Sequence, residues 1–146
     1  MDWAKTITAV TEDVHRNALI TDLAMSMEGP TLVLSGRCAH LDKLCELCEH
    51  GVVLKAGKDK TRSDLMFATY QLMSEGFDYP ELRNIILATP IGNDRIVTQS
   101  VGRLTRKCPT KTYATVCDIQ DKHGVFKKFN ENRLRIYKKM GYEICQ

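Results

Sequence analysis

Short runs of consecutive apolar residues, separated by stretches with helical spacing, constrain the fold of this 146-residue chain most strongly. A strand that is apolar along its whole length is buried on both faces, so helices must cover both faces of its sheet. The sequence therefore predicts an α/β domain built on an open parallel sheet with helices on both faces. The runs predicted as strands are 31–35, 52–54, 65–69, 84–88 and 112–119.

The segments between these runs predict the helices. Their apolar residues recur near the 3.6-residue period of an amphipathic helix, and glycine or proline follows most of them. We expect a short polar turn through Gly76 after the third strand, and a short extended piece at 142–144. Residues 1–146 should form one domain with 1–28 as a leading helical segment. The other predicted helices are 39–49, 96–106 and 126–140.

Charge and composition exclude several classes of protein. No stretch approaches the roughly 20 apolar residues of a transmembrane helix, so no membrane is expected. The first residues lack the basic and then apolar pattern of a secretory signal, which predicts a cytoplasmic, intracellular protein. The net charge of +3 permits nucleic-acid binding without arguing for it. Basic residues crowd 55–62 and the chain from Lys122 onward, and by themselves both clusters are typical of solvated faces.

One cluster of cysteine and histidine residues could hold zinc. It contains a Cys-x-x-Cys pair, which is common in structural zinc sites. No second pair follows, however, and the leucines around it recur at helical spacing with the cysteines. We therefore expect reduced cysteines that pack as small apolar side chains on a helix, and no metal. A zinc-binding module is the alternative, which metal analysis would test. The cluster comprises Cys38, His40, Cys45, Cys48 and His50.

The carboxyl ends of the strands are where chemistry is expected. In open parallel sheets, ligands bind at that edge, in the loops near a reversal of strand order. The loops after Leu34, Ala68, Leu87 and Val116 are therefore candidates. Gly57-Lys58 superficially suggests a phosphate-binding loop, but the required upstream glycine and following hydroxyl are missing. The chain has no complete loop of that kind.

A Gln-x-x-Gly-Arg-x-x-Arg pattern lies in the predicted helix 96–106. Gln99, Arg103 and Arg106 are spaced by four and three residues, which places them on one face of a helix. Planar, permanently charged guanidinium groups suit phosphoryl oxygens. An exposed basic helix face would explain the pair equally well if it stood alone.

Taken in order, three segments resemble motifs of one family. Residues 32–37 with His40 resemble motif IV, residues 68–78 resemble motif V, and residues 99–106 resemble motif VI. These motifs belong to the C-terminal RecA-like domain of superfamily-two, DEAD/DEAH-like helicases. The resemblance covers nearly the whole chain, and it implies the RecA-like form of the predicted α/β fold.

The resemblance also implies roles for individual residues. Arg103 and Arg106 match the catalytic arginines that reach the ATP γ-phosphate, with Arg106 as the arginine finger. Such fingers stabilise the charge of the transition state. Three further positions match the ATP cleft, and four match contacts to the nucleic-acid backbone, which read phosphates rather than bases. The cleft positions are Gly76, Asp78 and Gln99; the backbone positions are Ser35, Gly36, Arg37 and Thr69.

The resemblance implies that this chain is one of the two RecA-like domains of an ATP-dependent motor protein. ATP and Mg²⁺ would be bound mainly by an N-terminal RecA-like domain absent from this chain, and the bound polymer would be a DNA or RNA strand. The chain alone should then be inactive as an ATPase. The alternative is a stand-alone nucleic-acid or protein-interaction module that kept the fold and lost the motor, with the basic C-terminal helix as its binding surface.

The chain departs from the family's pattern between the second and third predicted strands. Only residues 55–64 separate those strands, and a parallel crossover usually needs a dozen or more residues. We expect the family's intervening helix to be missing or reduced to a turn, which leaves an exposed basic loop. This loop either is a simple deletion, which we favour, or contacts nucleic acid.

Overall fold

Five parallel strands form one sheet in the order β2-β3-β1-β4-β5. The computed structural model describes residues 2–55, 63–75, 77–105 and 113–145. The parallel α/β sheet predicted from the apolar runs is confirmed. Its strands are β1 (Thr31–Ser35), β2 (Val52–Val53), β3 (Leu65–Thr69), β4 (Asn84–Leu87) and β5 (Thr115–Asp118).

Helices cover both faces of the sheet, as the buried strands require. Alternate side chains of β1 point to opposite faces: Val33 belongs to one buried cluster with Ile20 and Leu41. Leu32 and Leu34 belong to the other, with Val97 and Ile136. All five residues of β1 are buried. The helices are α1 (Trp3–Glu12), α2 (Val14–Ser26), α3 (Cys38–Cys48), α4 (Tyr70–Ser74), α5 (Asp94–Gly102) and α6 (Gly124–Lys139).

The leading helical segment predicted over 1–28 consists of two helices, α1 and α2, with a break between them. Asp13 leaves the helical region with φ −67° and ψ 114°. Its carboxylate accepts a hydrogen bond from Arg16 N at 3.0 Å, which caps α2. Asp2 caps α1 in the same way by accepting from Lys5 N.

The polar turn predicted after the third strand is wrong, because a short helix occupies most of it. Thr69 Oγ1 accepts from Leu72 N at 3.2 Å and so caps α4. Tyr70, Leu72 and Met73 are buried in the core. Five residues are too few to show helical periodicity in a sequence.

The remaining elements differ from prediction at their ends. Helix α5 begins at Asp94, and its last turn tightens into a 3₁₀ helix over Arg103–Thr105. Helix α6 begins at Gly124. The piece at 142–144 pairs with no described strand. Most of the predicted basic loop between β2 and β3 lies outside the described residues.

Cys45 and Cys48 of α3 take up the packing that the leucine spacing predicts, whereas Cys38 at the start of the helix is exposed. Cys48 is buried with Leu41 and Leu44 against the sheet. Burial raises the pKa of the Cys45 and Cys48 thiols, which disfavours the thiolate form that binds metals. Across the described ranges, no three His, Cys, Asp or Glu side chains group as a metal site. In those same ranges, no helix has the length and apolar character needed to cross a bilayer.

Candidate functional site

The loops after β1, β3 and β4 meet at the carboxyl edge of the sheet and line one cleft of about 580 Å³. Gly36, Arg37 and Thr69 are among its lining residues, so three of the four predicted backbone contacts lie together. The fourth, Ser35, is fully buried and pairs in register with Thr69 at the ends of β1 and β3. Helix α1 contributes Trp3 and Ile7 to the same cleft.

The loop after β1 is held by its neighbour after β4. Gly36 N donates to Thr89 Oγ1 at 2.9 Å, and Ala88 N donates to Leu34 O at 2.7 Å. Tyr70 OH in turn donates to Thr89 O at 2.7 Å. Thr89 therefore joins the loops of three strands. The sequence analysis named the loop after Leu87 as a candidate but did not single out Thr89 within it.

The Arg37 side chain reaches back to α1. Its Nη1 donates to Thr8 Oγ1 and its Nη2 to Ala4 O, both at 3.2 Å. Both acceptors are uncharged, so the guanidinium keeps its full positive charge at the rim of the cleft. A phosphate oxygen would form a stronger, charge-assisted hydrogen bond with the same group.

A chain of buried side chains fixes the conformation of this loop. Ser35 Oγ accepts from Arg37 N at 3.2 Å and lies 2.9 Å from His40 Nδ1. His40 Nε2 lies 2.8 Å from Asn17 Oδ1. Because Asn17 Nδ2 donates to Thr11 O, its Oδ1 is the acceptor for His40 Nε2–H. Nδ1 then accepts from the Ser35 hydroxyl, which assigns the imidazole as neutral.

Burial, together with a smaller contribution from the charge of Arg16, lowers the pKa of His40 to about 4. Arg16 is itself fixed at the edge of the sheet. Its Nε donates to Ala88 O at 2.8 Å, and its guanidinium pairs with Asp121. The neutral imidazole thus links α2 to the loop after β1, and Arg16 links α2 to the end of β4 and to Asp121 after β5.

An ion pair beneath the cleft supports the loop after β4. Arg133 is only 2% exposed and donates from Nε and Nη2 to both oxygens of Asp118, at 2.7 and 2.9 Å. Its Nη1 donates to Ile91 O at 2.8 Å. Tyr137 OH also donates to Asp118. The sequence grouped Arg133 with a solvated basic face, and the structure corrects this.

Three of the residues assigned to catalysis and the ATP cleft are described, namely Asp78, Gln99 and Arg103, and we call them the second group. None of these three lines the carboxyl-edge cleft. Arg103 Nη2 donates to Met73 O at 3.2 Å, which ties the 3₁₀ turn to α4. Arg103 Nε and Gln99 Oε1 are buried with no hydrogen-bond partner in the described part of the chain. Asp78 is exposed. Gly76 and Arg106 lie outside the described residues, and so does the geometry predicted for the arginine pair.

Comparison with known proteins finds helicases among the sequence relatives. A putative ATP-dependent RNA helicase of Acanthamoeba polyphaga mimivirus is 33% identical over 127 residues, covering 77% of this chain and 24% of the relative. The ATP-dependent DNA helicase UvsW of Enterobacteria phage T4 is 31% identical over 90 residues, covering 62% and 18%. The chain thus spans about a quarter or less of the length of these relatives. No protein-family model matches it.

Solved structures share the fold. T4 UvsW superposes with a TM-score of 0.73 at 19% identity, covering 95% of this chain and 35% of that one. The C-terminal domain of the DEAD-box protein Dbp5 gives a TM-score of 0.63 at 14% identity, covering 90% and 81%. Sequence relatives and fold neighbours agree, and together they confirm the resemblance that the three motifs carry.

Proposed function

Because this chain is homologous to ATP-dependent helicases and has the fold of their C-terminal RecA-like domain, we propose that it is the second motor domain of an ATP-dependent helicase or translocase. It would contact a nucleic-acid strand at the carboxyl-edge cleft and supply arginines to ATP across an interdomain cleft. The ATP and its Mg²⁺ would be bound mainly by an N-terminal RecA-like domain of the same protein.

The strand contact is supported by one observation above the others: Gly36, Arg37 and Thr69 line a single cleft at the carboxyl edge. Thr69 Oγ1 accepts from Leu72 N, which leaves its hydroxyl hydrogen to donate. The Arg37 guanidinium is the one charged group among the described residues that line this cleft. Hydroxyl and guanidinium donors on adjacent loops are suited to successive phosphates, so we expect little selectivity for bases at these positions.

The nucleotide contact is supported by the unmade hydrogen bonds of the second group. Buried polar atoms without partners are rare, and each one in a native protein calls for an explanation. Arg103 Nε and Gln99 Oε1 lie within four residues of each other at the end of α5. ATP supplies the γ-phosphoryl group that is transferred to water. Arg103 and Arg106 would donate to its oxygens, and Gln99 would contact the facing domain when the two domains close.

The motor role predicts which arginines the ATPase needs. In the full-length protein, Arg103→Ala and Arg106→Ala should each lower kcat by about 10³-fold or more, because the charge of the transition state loses its donor. Steady-state ATPase assays with saturating nucleic acid measure this. Strand affinity should change little, since Arg103 does not line the carboxyl-edge cleft and the resemblance assigns Arg106 to ATP.

Arg95→Ala is the matched control, because Arg95 is exposed on α5 and lies outside the motif. It should leave kcat unchanged. Normal turnover by Arg106→Ala would contradict the finger assignment, and a loss in Arg95→Ala as large as in Arg103→Ala would point to damage to α5 instead.

The alternative of a stand-alone module with a basic C-terminal surface gains no support from the structure. Arg133, at the middle of that helix, is buried in an ion pair with Asp118. Arg135 is exposed but pairs with Asp94 at 3.3 Å. The basic face of α6 is therefore weaker than the residue count suggested.

A further inference from the structure

We propose that the carboxyl-edge cleft also binds a nucleobase of the strand, with the indole of Trp3 as its stacking surface. This inference rests on the proposed strand contact, and it adds a base site to a surface that the motifs assign to phosphates alone.

Helix α1 holds Trp3 in a fixed place at this edge. Ile7 is buried, and Arg37 donates to Ala4 and Thr8 of the same helix. The indole packs edge-to-face against Phe126 and Phe129 of α6, with ring centroids 5.7 and 5.6 Å away. Helix α1 therefore bridges α6 and the loop after β1 across the cleft.

Trp3 nevertheless remains open to solvent. The residue is 44% exposed although its ring contacts two other aromatic rings, and it lines the cleft. Edge-to-face packing uses the rim or one part of a ring system and leaves aromatic surface available. A tryptophan that is held on one side and open on the other is a rigid stacking platform, because little further ordering is needed on binding.

The chemistry of the cleft fits a flat ring with polar edges. Its walls include the rings of Tyr70 and Phe129 and the aliphatic chains of Ile7 and Ile96. Gln71 and Asn93 place amide groups among these apolar surfaces. Its volume of about 580 Å³ lies within the usual range for small-molecule sites. Nucleobases present apolar faces and hydrogen-bonding edges, and aromatic side chains stack on them with little dependence on sequence.

The position of the cleft links the base to the backbone contacts. Gly36, Arg37 and Thr69 line the same cleft as Trp3, so a phosphate bound by them is adjacent to the proposed base site. The described lining residues include one cationic side chain and no carboxylate, so the charge of the cleft is complementary to the negative charge of a nucleic-acid strand. A base turned inward from the bound backbone would meet the indole.

Trp3 is the only tryptophan of the chain, which makes the test direct. The 146-residue chain is titrated with single-stranded oligothymidylate and with an abasic strand of equal length, and tryptophan fluorescence and affinity are measured. We expect the base-bearing strand to quench the fluorescence and the abasic strand to leave it unchanged. Trp3→Ala should weaken binding of oligothymidylate about tenfold, with unchanged affinity for the abasic strand.

Two variants complete the design. Trp3→Phe keeps an aromatic face and should retain most of the affinity for oligothymidylate. Leu19→Ala removes an apolar side chain of similar exposure from α2, outside the cleft, and should change neither affinity. Equal weakening on both strands by Trp3→Ala would overturn the base site, since Trp3 would then only position α1. Tighter binding by Trp3→Ala would also overturn it and identify α1 as a cover.

Arg37→Ala separates this inference from the proposed function. It should weaken both strands to a similar degree, because it removes a phosphate contact. If Arg37→Ala changes neither affinity while Trp3→Ala acts on oligothymidylate alone, the proposed phosphate contact is wrong and the base site stands. If Arg37→Ala behaves as expected and no quenching occurs, the base site is wrong and the strand contact stands.

Discussion

The neutral imidazole of His40 connects α2 to the loop after β1 through Asn17 and Ser35. Each of these three side chains is buried, so each one depends on its neighbours for hydrogen bonds. Protonation of the ring would turn Nδ1 from an acceptor into a donor and place a charge near Arg16. Protonation of His40 therefore weakens the hydrogen bonds that hold the loop carrying Gly36 and Arg37.

This arrangement predicts how stability depends on pH. The pKa of His40 is about 4 in the folded protein, below its ordinary value of 6.5. The unfolded chain therefore binds the proton first, and this group lowers the free energy of unfolding as pH falls from about 6.5 to about 4. The loss should reach about 3 kcal/mol. Urea unfolding of the wild type and His40→Gln at several pH values measures it.

In His40→Gln the protein should be less stable at pH 7, and the extra pH dependence between 6.5 and 4 should disappear. His15→Gln is the control, because His15 is exposed on α2. If the wild type and His40→Gln show the same slope with pH, the assignment of His40 as a buried neutral ring is wrong.

Arg133 shows what residue counts miss. The basic run at the C-terminal end of the chain suggested a solvated face. Arg133 however lies seven residues after Phe126 and four before Tyr137, which places all three on one stripe of α6. That spacing indicates burial, and a buried arginine requires a carboxylate partner. The partner, Asp118, could not be identified from the sequence because it ends a different element.

At the scale of elements, the pair of Arg133 and Asp118 joins α6, β5 and the loop after β4. Arg133→Met should lower the free energy of unfolding by about 3–5 kcal/mol, because it leaves a buried carboxylate without its partner. Adding Asp118→Leu to this variant should recover part of the loss. Chemical denaturation of the single and double variants measures both effects.

Arg135→Met is the matched control on the same helix. Its ion pair with Asp94 is exposed, so the change should stay within about 1 kcal/mol. If Arg133→Met costs no more than Arg135→Met, the buried pair does not support the loop after β4.

The strands could be predicted from the sequence more completely than the helices. β1 and β3 match their predicted bounds because a buried parallel strand is a continuous apolar run between turn residues. The break at Asp13 was missed because no glycine or proline marks it. The only signal is Asp13 itself, whose carboxylate caps α2 by accepting a hydrogen bond from Arg16 N. Helix α4 was missed because it is shorter than two helical turns.

At the scale of the whole molecule, the three motifs predicted the class of protein because they follow one another along the chain in the order that the family has. The resemblance assigned Gly36, Arg37 and Thr69 to contacts with one nucleic-acid backbone, and in the structure these residues line one cleft. The sequence could not indicate Trp3. Its role depends on α1 crossing that edge, and the contacts that hold α1 come from residues far apart in the chain.

The 146-residue chain alone should hydrolyse no measurable ATP, since Gly57-Lys58-Asp59 lacks the features of a phosphate-binding loop. Phosphate release under conditions in which the full-length protein is active measures this. Robust turnover by the chain alone would contradict the division of labour between two domains.

The central place of β1 in the sheet has a consequence for folding. Among the five strands of this sheet β1 is synthesised first, yet its hydrogen-bonding partners are β3, beginning at Leu65, and β4, beginning at Asn84. Until β4 has left the ribosome, the apolar face of the nascent β1 has no completed sheet to join. Contacts between such distant segments close slowly. This interval is when the chain is most exposed to aggregation and most dependent on chaperones.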